Sequence, residues 1–150
     1  MVSLICADAS LALKLVLNEP DSTVARTLWD EWRTQQAIVI APTLWAYEVS
    51  SVVRNRTHRG LLPPEEEAGA FTALHLLPVQ LLRPDGLHQR AWEFARHFDR
   101  PAAYDAHYLA LAEMAGCPFW TADERLYDRV HAELDWVHRL RDYQSSGISG

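Results

Sequence analysis

The feature that most constrains the fold is the alternation of short apolar segments with longer segments of helical pattern. The apolar segments predict strands at residues 2–7, 37–41, 79–82, 119–121 and 136–138. The intervening patterns predict helices at residues 10–17, 21–35, 43–59, from 64 onward, 85–98, 101–115 and 124–134. Buried strands that alternate with helices indicate βαβ units. We therefore expect an α/β fold of three layers, with an open, mainly parallel sheet and helices on both faces.

The length of 150 residues suits one domain. We expect a single domain over residues 1–142 and a flexible, Ser/Gly-rich tail over residues 143–150. The first residues lack the basic region of a signal peptide, and no apolar stretch approaches the roughly 20 residues of a membrane span. Cys6 and Cys117 stand alone among apolar neighbours, which favours buried free thiols. The chain is expected to be cytoplasmic and not to enter a membrane.

Two acidic residues lie just beyond predicted strands. Asp8 directly follows the first strand, and Asp123 follows Thr121 by two residues at the end of the fourth. Open parallel sheets bind ligands at the carboxyl ends of their strands, near the point where strand order reverses. Because a helix follows each acid, either residue alone is also explained as a helix N-cap.

Two further acids lie on predicted helices that face the core. Glu48 falls within the apolar stripe formed by Trp45, Val49 and Val53. A carboxylate on an inward stripe is costly unless it is paired or binds a metal. Asp105 is the first charged residue of a largely apolar helix, where the positive helix N-terminus alone could also explain an acid.

Taken together, the four acids suggest one shared pocket. At ~4 Å, a pair of like charges costs roughly 4 kcal/mol at an effective dielectric constant near 20. Lys14 is the only lysine of the chain and lies far from most of these acids in sequence. Clustered carboxylates therefore predict a bound hard cation, Mg²⁺ or Mn²⁺.

Four segments in this order resemble the PIN domain family, and in particular the VapC-type toxins of prokaryotic toxin–antitoxin pairs. The segments are residues 7–10 (ADAS), 47–52 (YEVSSV), 104–112 (YDAHYLALA) and 121–126 (TADERL). Each is weakly specific alone, but all four agree in order and spacing, and the resemblance extends from about residue 2 to 140.

The resemblance implies a metal-dependent endoribonuclease that hydrolyses RNA phosphodiester bonds. It implies Asp8, Glu48, Asp105 and Asp123 as catalytic metal ligands. It also implies Ser10 and Thr121 as polar auxiliary residues, a homodimer, and a cognate antitoxin as partner. The alternative is a non-catalytic PIN-fold module that binds proteins, against which the four intact acids argue.

Positive residues near the Glu48 helix could contact RNA. The formal net charge of −6 says little about a local surface. Arg54, Arg56 and Arg59 cluster at the predicted C-terminal end of that helix, where they could hold phosphates or simply complement the helix dipole. His107 could be a base, although a packed helix residue explains it better.

Overall fold

Five short strands form one sheet in the computed structural model, which describes residues 2–143. The strands are β1 (Leu4–Ala7), β2 (Ile38–Pro42), β3 (Val79–Leu82), β4 (Phe119–Thr121) and β5 (Val137–Arg139). Their spatial order is β3-β2-β1-β4-β5, and every neighbouring pair is parallel. The predicted α/β class is confirmed, and the sheet is more uniformly parallel than the expected mainly parallel one.

The strands are connected through α-helices. These are α1 (Ala9–Val16), α2 (Ser22–Thr34), α3 (Leu44–His58), α4 (Pro64–Leu76), α5 (Leu87–His97), α6 (Tyr104–Ala115) and α7 (Glu124–Val130), with a short 3₁₀ helix at Leu140–Asp142. No helix among residues 2–143 combines the length and apolar character needed to span a membrane.

Three of the differences between observed and predicted helix boundaries have a visible cause in the backbone. Helix α5 begins after Gly86, whose φ of +85° interrupts the helical backbone that was expected from Asp85. Helix α6 begins at Tyr104 rather than Pro101, because residues 101–103 form bends. Helix α7 ends at Val130, where the amides of Glu133 and Leu134 both bond the Val130 carbonyl and turn the chain towards β5.

Alternating strand residues divide the core between the two faces of the sheet. On one face, Ile5 and Val39 pack with Leu28 and Trp32 of α2. The opposite face carries Cys6 and Ile40, together with the apolar sides of α3, α5 and α6. Both clusters are buried, so the predicted three layers are confirmed.

The order of the strands reverses at β1. From β1 the chain proceeds outward to β2 and β3, then crosses to β4 on the other side of β1 and continues to β5. The carboxyl ends of β1 and β4 therefore flank the switch point, where open parallel sheets bind their ligands. Asp8 and Asp123 follow these two strand ends.

Both cysteines are buried and free, as predicted. Apart from Tyr143, the tail that was predicted over residues 143–150 lies outside the described residues.

Candidate active site

Asp8 is a buried carboxylate held by three donors. Its Oδ1 accepts hydrogen bonds from Ser10 Oγ at 2.6 Å and from the Leu11 amide at 3.2 Å. Its Oδ2 accepts a hydrogen bond from Thr121 Oγ1. The Leu11 bond is the N-cap of α1, and the Thr121 bond ties the end of β1 to the end of β4. The carboxylate is fixed at the switch point by elements on both sides.

Ser10 and Thr121 extend this network into the loop after β4. Ser10 Oγ accepts a hydrogen bond from the Ala122 amide at 3.0 Å, and Thr121 Oγ1 accepts one from the Asp123 amide at 2.9 Å. The two hydroxyl oxygens are 3.4 Å apart. Each hydroxyl oxygen therefore accepts a hydrogen bond from a backbone amide, and each hydroxyl group donates a hydrogen bond to the Asp8 carboxylate.

Burial dominates the electrostatics of Asp8. It raises the pKa of the carboxyl from 3.8 to about 7, although the hydrogen bonds from Ser10, Thr121 and Leu11 oppose that rise. The negative charge of Asp123 raises the pKa further. Only 6% of Asp8 is exposed, and no positive side chain within residues 2–143 forms an ion pair with it. Asp8 is thus a buried acid whose negative charge lacks compensation.

Asp123 is the N-cap of α7. Its Oδ1 accepts a hydrogen bond from the Leu126 amide at 3.1 Å, and the side chain is half-buried. The N-cap explanation of Asp8 and Asp123 therefore holds for both residues. Capping is compatible with a role in the site. The capping bond uses one oxygen of each carboxylate, and it keeps both acids at the ends of adjacent strands.

Glu48 projects from the first turns of α3 and is held by Tyr108. The Tyr108 hydroxyl donates a hydrogen bond of 2.6 Å to Glu48 Oε1. Tyr108 is buried in α6, and its ring stacks on Phe119 of β4 with the centroids 5.9 Å apart. Burial raises the pKa of Glu48, the hydrogen bond lowers it, and the charge of Asp105 raises it.

Asp105 forms an ion pair that the sequence analysis did not anticipate. Arg100 Nη2 lies 2.8 Å from Asp105 Oδ2, and both side chains are about a quarter to a third exposed. Arg100 precedes the bends at residues 101–103, outside the helix that was predicted from Pro101. It is the one side chain among residues 2–143 that forms an ion pair with any of the four acids.

The four acids are coupled in two pairs. Asp123 raises the pKa of Asp8, and Asp105 raises that of Glu48. Tyr108 links the pairs, because burial raises the pKa of its hydroxyl and the charges of both Glu48 and Asp8 raise it further. Within residues 2–143, no three His, Cys, Asp or Glu side chains are already close enough to hold a metal ion. The donor set nevertheless fits a hard divalent cation, since it consists of carboxylate oxygens with a buried charge to neutralise.

Two of the three arginines proposed for RNA contacts are held by acids in ion pairs. Arg54 donates to both carboxylate oxygens of Glu67 on α4, at 3.0 and 3.2 Å. Arg56 forms an ion pair with Glu19. Arg59 is exposed where α3 ends. All three lie beyond Glu48, towards the C-terminal end of α3. Their contact with RNA stays a prediction.

Both ring nitrogens of His107 make contacts with residues other than the four acids. Its Nδ1 lies 2.6 Å from the Ala103 carbonyl oxygen, which can only accept, so Nδ1 carries a proton. Its Nε2 lies 2.9 Å from His88 Nδ1. The histidine therefore connects α6 with α5, as the interpretation of a packed helix residue expects.

The fold agrees with the comparison against known families. A model of the PIN domain matches residues 5–132. The chain belongs to the PIN domain family.

The curated relatives that this chain resembles are named as VapC ribonucleases. The VapC ribonuclease Mb0985 of Mycobacterium bovis is 34% identical over 130 residues, which cover 87% of this chain and 94% of that protein. Ribonuclease VapC12 of Mycobacterium tuberculosis is 32% identical over 124 residues, covering 82% and 89%.

Solved structures share the same fold. PAE2754 from Pyrobaculum aerophilum has a TM-score of 0.66 at 20% identity, covering 94% of this chain and 93% of its own. Mycobacterium tuberculosis VapC20, described as a sarcin-ricin loop cleaving toxin, has a TM-score of 0.61 at 19% identity, covering 86% and 95%.

Proposed function

We propose that this protein is a metal-dependent endoribonuclease that hydrolyses phosphodiester bonds in RNA, as the toxin of a toxin–antitoxin pair. The observation that carries the proposal is Asp8, a buried and uncompensated carboxylate at the switch point of the sheet, coupled to Asp123. The ribonucleases named among its relatives support the same reaction class.

Asp8, Glu48, Asp105 and Asp123 would hold Mg²⁺ or Mn²⁺. A divalent cation held there would lower the pKa of water and would offset the negative charge that develops on the phosphate. No covalent enzyme intermediate is required, so the site needs no nucleophilic Ser, Cys or His.

The residues around the acids act as positioning residues. Ser10 and Thr121 fix the orientation of the Asp8 carboxylate through their hydroxyl groups. Tyr108 fixes Glu48, because its hydroxyl donates to Oε1 while its ring is locked against Phe119. Such outer contacts pre-orient ligands and commonly change metal affinity by about 10- to 100-fold.

Arg100 offsets part of the negative charge of the pocket before metal binds. Its guanidinium occupies one oxygen of Asp105. If Asp105 bound a cation instead, the guanidinium of Arg100 would be released and would be available to a substrate phosphate. Arginine suits this exchange because its planar donors match carboxylate and phosphate oxygens equally well.

We propose a homodimer in the cytoplasm and a small antitoxin that blocks the acidic pocket with a cation such as Arg. Light scattering at tens of micromolar (a usual range for ordinary oligomers) should give the mass of a dimer, and a monomer would contradict it. Co-expression with the adjacent open reading frame should yield a complex, and separate elution of the two chains would contradict the antitoxin.

A non-catalytic PIN-fold binding module is the second candidate. The buried charge of Asp8 argues against it, because a module with no use for a metal gains nothing from an uncompensated acid. An RNA cleavage assay with Mg²⁺ and with EDTA separates the candidates. Cleavage that requires the metal supports the nuclease, and no cleavage under either condition supports the module.

A further inference from the structure

Two strongly exposed tyrosines stand beside the acidic pairs. Tyr47 is 75% exposed and directly precedes Glu48 on α3, whereas Tyr104 is 68% exposed and directly precedes Asp105 on α6. Large apolar rings in this position are unfavourable in water and contribute nothing to the core. Their exposure leaves both side chains accessible for binding.

Neither ring is used by the protein itself. Within residues 2–143, the side chains of Tyr47 and Tyr104 make no hydrogen bond, ring contact or cation–π contact. Trp92 differs, because although half-exposed it is covered by the Arg96 guanidinium at 4.8 Å from the ring centroid. Most of the surface of Tyr47 and of Tyr104 is therefore accessible to a ligand.

The neighbours of these tyrosines bring the rings to the same site. Glu48 and Asp105 are connected through Tyr108, which lies three residues after Asp105 on α6 and donates a hydrogen bond of 2.6 Å to Glu48 Oε1. Consecutive Cα atoms are about 3.8 Å apart, so each tyrosine starts from the backbone next to one of these coupled acids. Side chains at adjacent helix positions diverge by about 100°. The tyrosines therefore flank the acidic pocket rather than fill it.

The negative charge of the site offers few favourable contacts for the phosphates of RNA. Phosphate contacts usually supply most of the affinity of a nucleic-acid-binding protein. Here the four acids carry negative charge, and the one side chain among residues 2–143 that forms an ion pair with any of them is Arg100, through Asp105. Base stacking on an aromatic ring supplies about 1–3 kcal/mol per base without requiring positive charge.

We propose that Tyr47 and Tyr104 are stacking platforms for the bases of single-stranded RNA next to the cleaved phosphate. This inference rests on the proposed ribonuclease function and names the form of its substrate. Bases within a duplex already stack on one another, whereas those of single strands and loops can stack on protein rings. The site is thus specific for unpaired nucleotides.

The test measures RNA binding without cleavage. Fluorescence anisotropy in EDTA should show that Tyr47→Ala and Tyr104→Ala each weaken binding of a single-stranded RNA by about 5- to 100-fold. Tyr47→Phe and Tyr104→Phe should bind within about 2-fold of the wild type, since a phenyl ring also stacks. A duplex RNA of the same sequence should be affected little by any of these variants.

Leu61→Ala is the matched control. Leu61 is 64% exposed and follows the C-terminal end of α3, which lies about 16 Å along the helix axis from Tyr47. Binding by this variant should equal that of the wild type. Unchanged binding in both Tyr→Ala variants would overturn the inference, as would equal losses in the Tyr→Phe variants or with duplex RNA.

A cleavage assay in Mg²⁺, run in parallel, separates this inference from the proposed function. Cleavage by the wild type with unchanged KM in both Tyr→Ala variants overturns the stacking role and leaves the ribonuclease intact. Raised KM with little change in kcat supports it. A wild type that neither binds nor cleaves RNA overturns both.

Discussion

Replacement of Asp8 by asparagine should stabilise the metal-free protein above neutral pH. The folded-state pKa of about 7 lies about three pH units above the ordinary value of 3.8. Each unit corresponds to about 1.4 kcal/mol, so ionised Asp8 costs the folded state about 4 kcal/mol at pH 8. Asparagine removes this charge and can still accept from Ser10 and Leu11 through Oδ1.

Part of this gain is lost at Thr121. The asparagine amide would donate to Thr121 Oγ1, which now donates to Asp8 and accepts from the Asp123 amide. A rearranged hydroxyl contact costs about 1–2 kcal/mol. The net gain expected for Asp8→Asn is about 2 kcal/mol, or about 6 °C in Tm for a domain of this size.

The same pKa gives the wild type a defined pH dependence. Between pH 3.8 and about 7 the folded protein retains a proton on Asp8 that the unfolded chain has released. The Asp8 contribution to the free energy of unfolding therefore falls as the pH rises through this window. Asp8→Asn should lack this contribution.

Urea denaturation in EDTA at pH 5 and pH 8 measures both effects. Asp128→Asn, which removes an exposed acid on α7, is the matched control and should follow the wild type. The reasoning is refuted if Asp8→Asn is less stable than the wild type at pH 8 while the control is unchanged, or if its pH dependence equals that of the wild type.

Three further outcomes are expected, each measured with purified protein free of antitoxin. Mg²⁺ or Mn²⁺ at about 100 times Kd should stabilise the wild type by about 2.7 kcal/mol, and Asp8→Asn distinctly less, in thermal denaturation; equal shifts would contradict the metal site. Tyr108→Phe should weaken Mn²⁺ binding about 10-fold in calorimetry, because Glu48 loses its positioning bond; unchanged affinity would exclude that role. Arg100→Gln should strengthen Mn²⁺ binding several-fold, because the cation no longer competes for Asp105; weaker binding would contradict competition.

The acids at strand ends and on inward stripes illustrate what local sequence can predict. Asp8 and Asp123 could be placed because a strand end followed by a helix start both caps the helix and faces the ligand edge of a parallel sheet. Glu48 could be placed because its apolar neighbours on the helix identify the face that is directed towards the core. Each of these inferences depends on residues within a few positions of the acid.

The partners of the acids depend on contacts that local patterns do not contain. Tyr108 lies 60 positions from Glu48 in the sequence, and nothing within a few residues of Glu48 indicates this contact. Arg100 was missed because Pro101 is a common first helical residue and was expected to open α6. The left-handed backbone of Asp99, with a φ of +53°, instead redirects the chain before Arg100 reaches Asp105.

The most direct test of the central claim is the chemistry of RNA cleavage. With Mg²⁺ or Mn²⁺, the wild type and Asp128→Asn should cut RNA to products with 5′-phosphate and 3′-hydroxyl ends, because water attacks the phosphorus and the 2′-hydroxyl takes no part. EDTA should abolish cleavage, and Asp8→Asn should lower the rate by about 100-fold or more, by analogy with the loss of other electrostatic stabilisation. Full activity in EDTA, or a 2′,3′-cyclic phosphate product, would contradict the proposed metal-dependent hydrolysis.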